Sequence, residues 1–350
     1  MTHRFKLVLL MFTFFMLGCR QAQLIDIEES LTGFERLNDE LERGLYGDVN
    51  SLLIWHDGEI IFEAYYQGTS ETTMTPVYSV TKSVTSAMMG KAVSEDLIQI
   101  DDPMLDYFPE FDQIDNLTEQ KQNITVADLL TMRSGLAWDE VSATYGSGTN
   151  SVTNLTRSGN WLQYILDQPM ATSAGGRFTY NSGVTMLLGG VLEAATGQTV
   201  ETYTAEYLFQ PLEINSWRWE NTPQGQSNTG WGLSLQPRDM LKFGQLFLQN
   251  GEWNDEQIIP QAWIEQSTQP YTEVDDEYNY GYQWWRFSDD NPVVFNLDTN
   301  DVYFAWGFGG NFIFVVPHLD LVVVTTAQNF SIGTQIFPIL PEYIFPELSR

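Results

Sequence analysis

The sequence predicts an α/β (α+β) protein: an antiparallel sheet drawn from both ends of the chain, flanked by helices, with an all-α insert between. Three observations carry this. Two apolar, β-rich runs at 51–55 and 59–66 are joined by His56-Asp57-Gly58, the composition of a tight hairpin turn. Three more such runs, at 302–306, 311–316 and 321–327, alternate with turns at Gly307-Phe308-Gly309-Gly310 and Pro317-His318-Leu319-Asp320. Between them the apolar spacing is mainly that of helices. One domain is expected over 46–345, its α/β part at about 46–80 and 275–345 and its helical part at about 81–274.

Taken in order, residues 1–18 read as a signal peptide. Thr2-His3-Arg4-Phe5-Lys6 is basic, and the apolar run from Leu7 to Leu17 is too short to span a bilayer as a helix. It ends in Met16-Leu17-Gly18-Cys19, which resembles the lipobox of bacterial lipoproteins, with Met16 replacing the usual Leu. That resemblance implies lipidation of Cys19, a membrane contact through the N-terminal lipid, and a domain facing the periplasm or cell exterior. Cys19 is the single cysteine of the chain, so neither an internal disulfide nor a thiolate metal cluster is possible. Residues 19–45 comprise a polar tether over 20–30 and a first helix over 31–45, amphipathic through Leu31, Phe34, Leu37, Leu41 and Leu45.

After the first hairpin, Pro76 and Tyr78 lead in extended towards Ser79. From Val80 the pattern turns helical, with Val80, Val84, Ala87 and Met88 on one face as far as about Leu97. Ser79 therefore stands at a helix N-terminus, where free N–H groups stabilise an oxyanion. Lys82 lies one turn on, on the same face, where its amine can take the serine proton if burial lowers its pKa. Ser83, Ser86, Ala87 and Gly90 suit a helix buried among close neighbours. Thr125 and Asp128 form the ends of a capping box opening a short helix. Residues 139–160, rich in Ser, Thr, Gly and Asn, read as a loop that could lie over a site. Short helices follow at 161–167, 184–195 (stopped by Gly197) and 238–248 (ended by Asn250-Gly251), and a last helical stretch follows Ser331.

The formal charge of −30 and pI near 4.1 argue against nucleic-acid binding and against docking on anionic lipid through protein charge. Of three histidines, His3 lies in the leader, and His56 and His318 lie in turns, poor support for a Ser-His-Asp triad. G-x-S-x-G, H-E-x-x-H and the Walker and Rossmann glycine patterns are absent. No metal or cofactor is expected, and a serine nucleophile would need a base other than His.

Ser79-Val80-Thr81-Lys82 is similar to the S-x-x-K motif of serine β-lactamases and penicillin-binding proteins. Leu129-Leu130-Thr131-Met132-Arg133-Ser134-Gly135-Leu136, Phe178-Thr179-Tyr180-Asn181-Ser182, Gly230-Trp231-Gly232-Leu233, Pro237-Arg238-Asp239-Met240, Tyr280-Gly281-Tyr282-Gln283-Trp284-Trp285 and Gly307-Phe308-Gly309-Gly310-Asn311 resemble further stretches of that family in its own order. The resemblance runs over roughly 45–330, and is broadest to the class C β-lactamase-related branch of esterases, D-amino-acid peptidases and nylon-oligomer hydrolases. It implies the β-lactamase-like fold, with Ser79 as nucleophile, Lys82 as its proton acceptor or electrostatic partner, and Tyr180 as the tyrosine that shares proton transfer. A tyrosinate beside a lysine ammonium would serve as base because the cation depresses its pKa. The backbone N–H groups of Ser79 and Asn311 are the implied oxyanion hole. Ser182 departs from the Asn of the Y-x-N pattern, leaving Asn181 as a neighbouring substitute. Phe308, Gly309 and Gly310 fall where the penicillin-recognising branch carries K-T-G, with Phe308 as a pocket wall and no lysine for an anion. Arg177 or Arg286 could supply a replacement cation. Trp138, Trp284 and Trp285 are candidates for the acyl pocket or for core. The implied activity is cleavage of a small-molecule ester or amide through an acyl-enzyme. A cell-wall D-peptidase or β-lactamase and a non-catalytic envelope binding protein are the competing expectations.

Overall fold

The computed structural model describes residues 33–331 and 335–348. The lipobox, Cys19 and the tether lie outside them. The first described element is helix α1 (Gly33–Glu42). Strands β1 (Val49–His56) and β2 (Glu59–Tyr65) follow as a hairpin. Its turn residues Asp57 and Gly58 both take positive φ, 48° and 90°, the twist that a two-residue hairpin requires.

The remaining strands of the large sheet come from the other end: β3 (Thr272–Glu273), β4 (Tyr278–Tyr280), β5 (Trp285–Phe287), β6 (Tyr303–Gly307), β7 (Asn311–Val316) and β8 (Leu321–Ala327). The order is β2-β1-β8-β7-β6-β5-β4-β3, antiparallel throughout. The β1–β8 pairing, Leu52 opposite Thr325 and Ile54 opposite Val323, joins the two ends of the chain. Both sheet faces are covered, which is why the strands read as unbroken apolar runs. Leu52, Ile54, Phe312 and Phe314 pack under α1 and the C-terminal helical stretch. Leu53, Trp55, Ile313 and Val315 face the helical part, as the two-residue period of a strand dictates.

Helix α2 (Val80–Ser94) is buried on nearly every side, as its small residues predict. At Gly90 a Cβ would stand 2.2 Å from the Trp263 ring, so only glycine admits that contact. The capping box of Thr125 and Asp128 opens α3 (Val126–Leu130) with both hydrogen bonds made. The expected loop at 139–160 is only half a loop. Residues 151–157 form helix α4 (Ser151–Arg157), capped by the Asn150 side chain, and burial of Val152 and Leu155 outweighs the weak helix propensity of its Ser, Thr and Asn. Helices α5 (Trp161–Leu166), α6 (Ser182–Thr196) and α7 (Pro237–Leu248) follow. Gly197 ends α6 in the left-handed conformation. Helix α7 packs against β7 and β8.

Candidate active site

Ser79 is the N-cap of α2. The approach is not extended: Tyr78 holds φ +49°, a strained conformation for a bulky residue that is found where surroundings over-determine it. Gly307 presses on this turn, since a Cβ there would lie 2.2 Å from the Val77 carbonyl. The turn thus carries Ser79 up between α2 and the end of β6.

Lys82 is 1% exposed, and its three contacts are short. Its Nζ donates to Ser79 Oγ at 2.9 Å, to Ser182 Oγ at 2.9 Å and to the Gly230 carbonyl at 2.6 Å. Burial pulls its pKa down to about 8, against a smaller upward pull from Glu140. Tyr180 stands on the other side of Ser79. Its hydroxyl interacts with Ser79, and its ring centroid is 5.1 Å from Lys82 Nζ. Burial first, then Tyr280 and Glu140, hold the Tyr180 hydroxyl well above its ordinary range. That reverses the expectation of a tyrosinate: a dehydrated site beside a carboxylate favours the neutral phenol, and the amine is the group brought towards neutral pH.

Two spaces open on Ser79. The larger, about 940 Å³, is walled by Trp138, Tyr145, Phe178, Tyr180, Tyr271, Tyr278, Trp285, Trp306 and Phe308, with Arg133 and Arg177 on its lining as well as Asp139, Glu273 and Asp275. The smaller, about 250 Å³, lies among Tyr78, Val152, Thr156, Trp231 and Phe308. Tyr145 and Phe308 line both, their ring centroids 5.5 Å apart.

Several expected residues stand elsewhere. Trp284 is fully buried against Phe243, Phe247 and Tyr303, in the core; its neighbour Trp285, one strand position on, meets the cleft. Asn311 is also fully buried, in the ladder opposite Gly307, and its Nδ2 donates to the carbonyls of Phe308 and Ala327. It lines neither space. Phe308 is the residue of that turn that lines both spaces together with Ser79. Among the described residues, no acceptor takes the backbone N–H of Ser79 or of Phe308. Gly309 and Gly310 shape the hairpin turn with φ of 85° and 99° and do not line the cleft. Asn181 caps α6 through its side chain; Ser182 does line the smaller space, as expected, and is bound within the Lys82 network as well. Arg286 is tied to the Thr268 and Asn300 carbonyls, so of the two expected cations only Arg177 reaches the cleft, joined by Arg133.

One residue had no signal in the sequence. Glu140 is 3% exposed. Its Oε2 accepts from Trp138 Nε1 (2.5 Å) and from the Ser182 backbone N–H (2.7 Å), and its Oε1 accepts from Ser182 Oγ (2.8 Å). It follows Trp138-Asp139 in a polar loop, where an acidic residue is ordinarily solvated. Among the described residues, no group of His, Cys, Asp or Glu could hold a metal ion.

The chain is 22% identical over 298 residues to 6-aminohexanoate-dimer hydrolase of Paenarthrobacter ureafaciens, covering 79% of this chain and 71% of that protein. Among solved structures it is similar to EstCE1, a hydrolase with promiscuous acyltransferase activity (TM-score 0.71, 14% identity, 87% of this chain and 95% of the other). It also resembles the octameric penicillin-binding protein homologue of Pyrococcus abyssi (TM-score 0.67, 18% identity, 88% and 76%). The Beta-lactamase family model matches residues 39–333, nearly the whole of the described chain, and with this fold behind it the protein belongs to the beta-lactamase and penicillin-binding-protein-like family of serine hydrolases.

Proposed function

We propose that the protein hydrolyses neutral esters or amides through an acyl-enzyme on Ser79. The observation that carries this is the buried Lys82 amine 2.9 Å from Ser79 Oγ at the floor of an aromatic cleft. Neutral Lys82 takes the Ser79 proton as Oγ attacks the carbonyl. The developing oxyanion lies against the unpaired N–H groups of Ser79 and Phe308, where fixed donors lower the barrier most. The lysine ammonium, with Tyr180 as a neutral relay, returns the proton to the leaving group, and water then releases the acyl group by the same path. The aromatic walls and Phe308 favour an apolar acyl or alkoxy group over an anion. Anchoring to a bacterial membrane through lipid on Cys19 is part of the same reading, supported by the sequence around that residue.

A second reading, a D-peptidase or β-lactamase, is favoured by Arg133 and Arg177 on the cleft wall, either of which could meet a carboxylate. One preparation decides between them. A fluorophosphonate should label Ser79, and Ser79→Ala should abolish labelling and turnover while keeping the fold. A short neutral ester such as p-nitrophenyl butyrate should exceed a chromogenic cephalosporin by about 100-fold in kcat/KM, the loss expected from one missing charge-assisted contact. Phe308→Lys should narrow that gap. Equal or better cephalosporin turnover favours the second reading, and label retained in Ser79→Ala removes both.

A further inference from the structure

Lys82 in its reactive, neutral form has two N–H bonds and one lone pair, but three oxygens surround it. Which oxygen receives the lone pair decides whether the amine can act as a base. The Gly230 carbonyl can only accept, so it takes one N–H. Ser182 Oγ could either accept an N–H or turn its own proton towards the lone pair. Ser79 must be left facing the lone pair for proton transfer to occur.

Glu140 resolves the ambiguity. Its Oε2 faces two groups that only donate, Trp138 Nε1 and the Ser182 backbone N–H. Its Oε1 takes the Ser182 hydroxyl proton at 2.8 Å. With that proton committed, Ser182 Oγ can only accept from Lys82, at 2.9 Å. Both N–H bonds of the neutral amine are then used, and the lone pair points at Ser79.

We propose that Glu140 is a positioning residue for proton transfer: it fixes the Ser182 hydroxyl as a donor to itself and thereby aims the Lys82 lone pair at the Ser79 hydroxyl. The inference rests on the Ser79 acyl-enzyme reading. In the step it serves, the Ser79 O–H proton passes to Lys82 as the Oγ–C bond forms and the carbonyl electron pair moves onto oxygen. The groups facing Lys82 are Ser79, Tyr180, Ser182, the Gly230 carbonyl and, through space, Glu140. Those facing Glu140 are Trp138 and Ser182, with the hydroxyls of Tyr145, Tyr180 and Tyr280 nearby.

Glu140→Gln keeps the shape but puts an amide N–H where Oε1 stood. That amide donates to Ser182 and turns the Ser182 proton onto the Lys82 lone pair. With a neutral ester, kcat should fall about 10²-fold, the scale of lost general-base catalysis, with KM little changed. The ascending limb of the pH profile should move to lower pH, because a negative charge near Lys82 is gone. Adding Ser182→Ala removes the competing donor and should recover part of the lost kcat. Wild-type kcat in Glu140→Gln overturns the proposal. So does a fall with an unmoved limb and no recovery in the double variant. If Glu140→Gln does not fold, Ser182→Ala alone carries the test: kcat at least about tenfold down supports it, and an unchanged kcat overturns it. Fluorophosphonate labelling of the wild type separates the two levels. A labelled, active wild type with an indifferent Glu140→Gln removes only the Glu140 role, and an unlabelled, inert wild type removes the hydrolase reading and the Glu140 role with it.

Discussion

The sharpest consequence of Lys82 as base is a pH profile, and the burial of its amine fixes where the limb falls. With a pKa of about 8, the neutral amine is roughly one tenth of the population at pH 7, half at pH 8 and nine tenths at pH 9. kcat/KM reports the free enzyme, so it should rise about tenfold between pH 7 and 9 and then level. The assay is initial-rate hydrolysis of p-nitrophenyl butyrate, with Ser79→Ala as the blank for spontaneous ester loss at each pH. A Tyr180 base would instead place the limb far above pH 9, because burial raises that hydroxyl. A flat profile from pH 6 to 9, or a limb below about pH 6.5, refutes the assignment of Lys82. The same proton bears on stability with a definite sign. Lys82 sheds its proton in the folded state near pH 8 and in the unfolded chain near 10.5. Between those values the unfolded state binds more protons, so folding gains stability as pH rises through the window. The burial penalty below pH 8 is of order 3 kcal/mol.

Two other outcomes follow from the packing and from the lipobox reading. Trp284→Ala removes a fully buried indole and should lower stability by about 3–5 kcal/mol in urea unfolding; Trp285→Ala should act mainly on KM for bulky esters, and the reverse ranking would refute the placing of the two rings. Cys19→Ser should move the protein from the membrane fraction to the soluble fraction, since among the described residues no helix is long and apolar enough to cross a membrane. A mutant that still sediments after signal-peptide removal would refute the lipobox.

What could be read in the sequence was what local chemistry decides. The spacing of Ser79 and Lys82 on one helix face, the Thr125–Asp128 box and the Asp57-Gly58 turn each depend on a few adjacent residues. What could not be read depends on distant ones. Trp284 and Trp285 are adjacent and chemically identical; strand alternation says that they face opposite ways but not which faces the cleft. The family resemblance puts the second oxyanion donor at Asn311, yet Asn311 is buried in the ladder opposite Gly307 and Phe308 lines the cleft. The left-handed turn at Tyr78 stands next to the close approach of Gly307 to Val77, between residues far apart in sequence. Glu140 becomes a buried acceptor only because α6 presents the Ser182 N–H and hydroxyl to it, a meeting of residues 42 apart.

The pairing of β1 with β8 also bears on how the molecule comes into being. During synthesis the first hairpin and α2 emerge early, but the strand that completes their cover follows the whole helical part. Until β8 arrives, β1 offers an unpaired, apolar edge, and a helix that is apolar on nearly every side has no sheet to lie on. Joining them closes a loop of almost the entire described chain, the kind of non-local contact that slows folding and leaves partly folded forms prone to associate. Since Phe308 and Trp306 arrive with that same segment, the cleft is finished only after the helical part has been made.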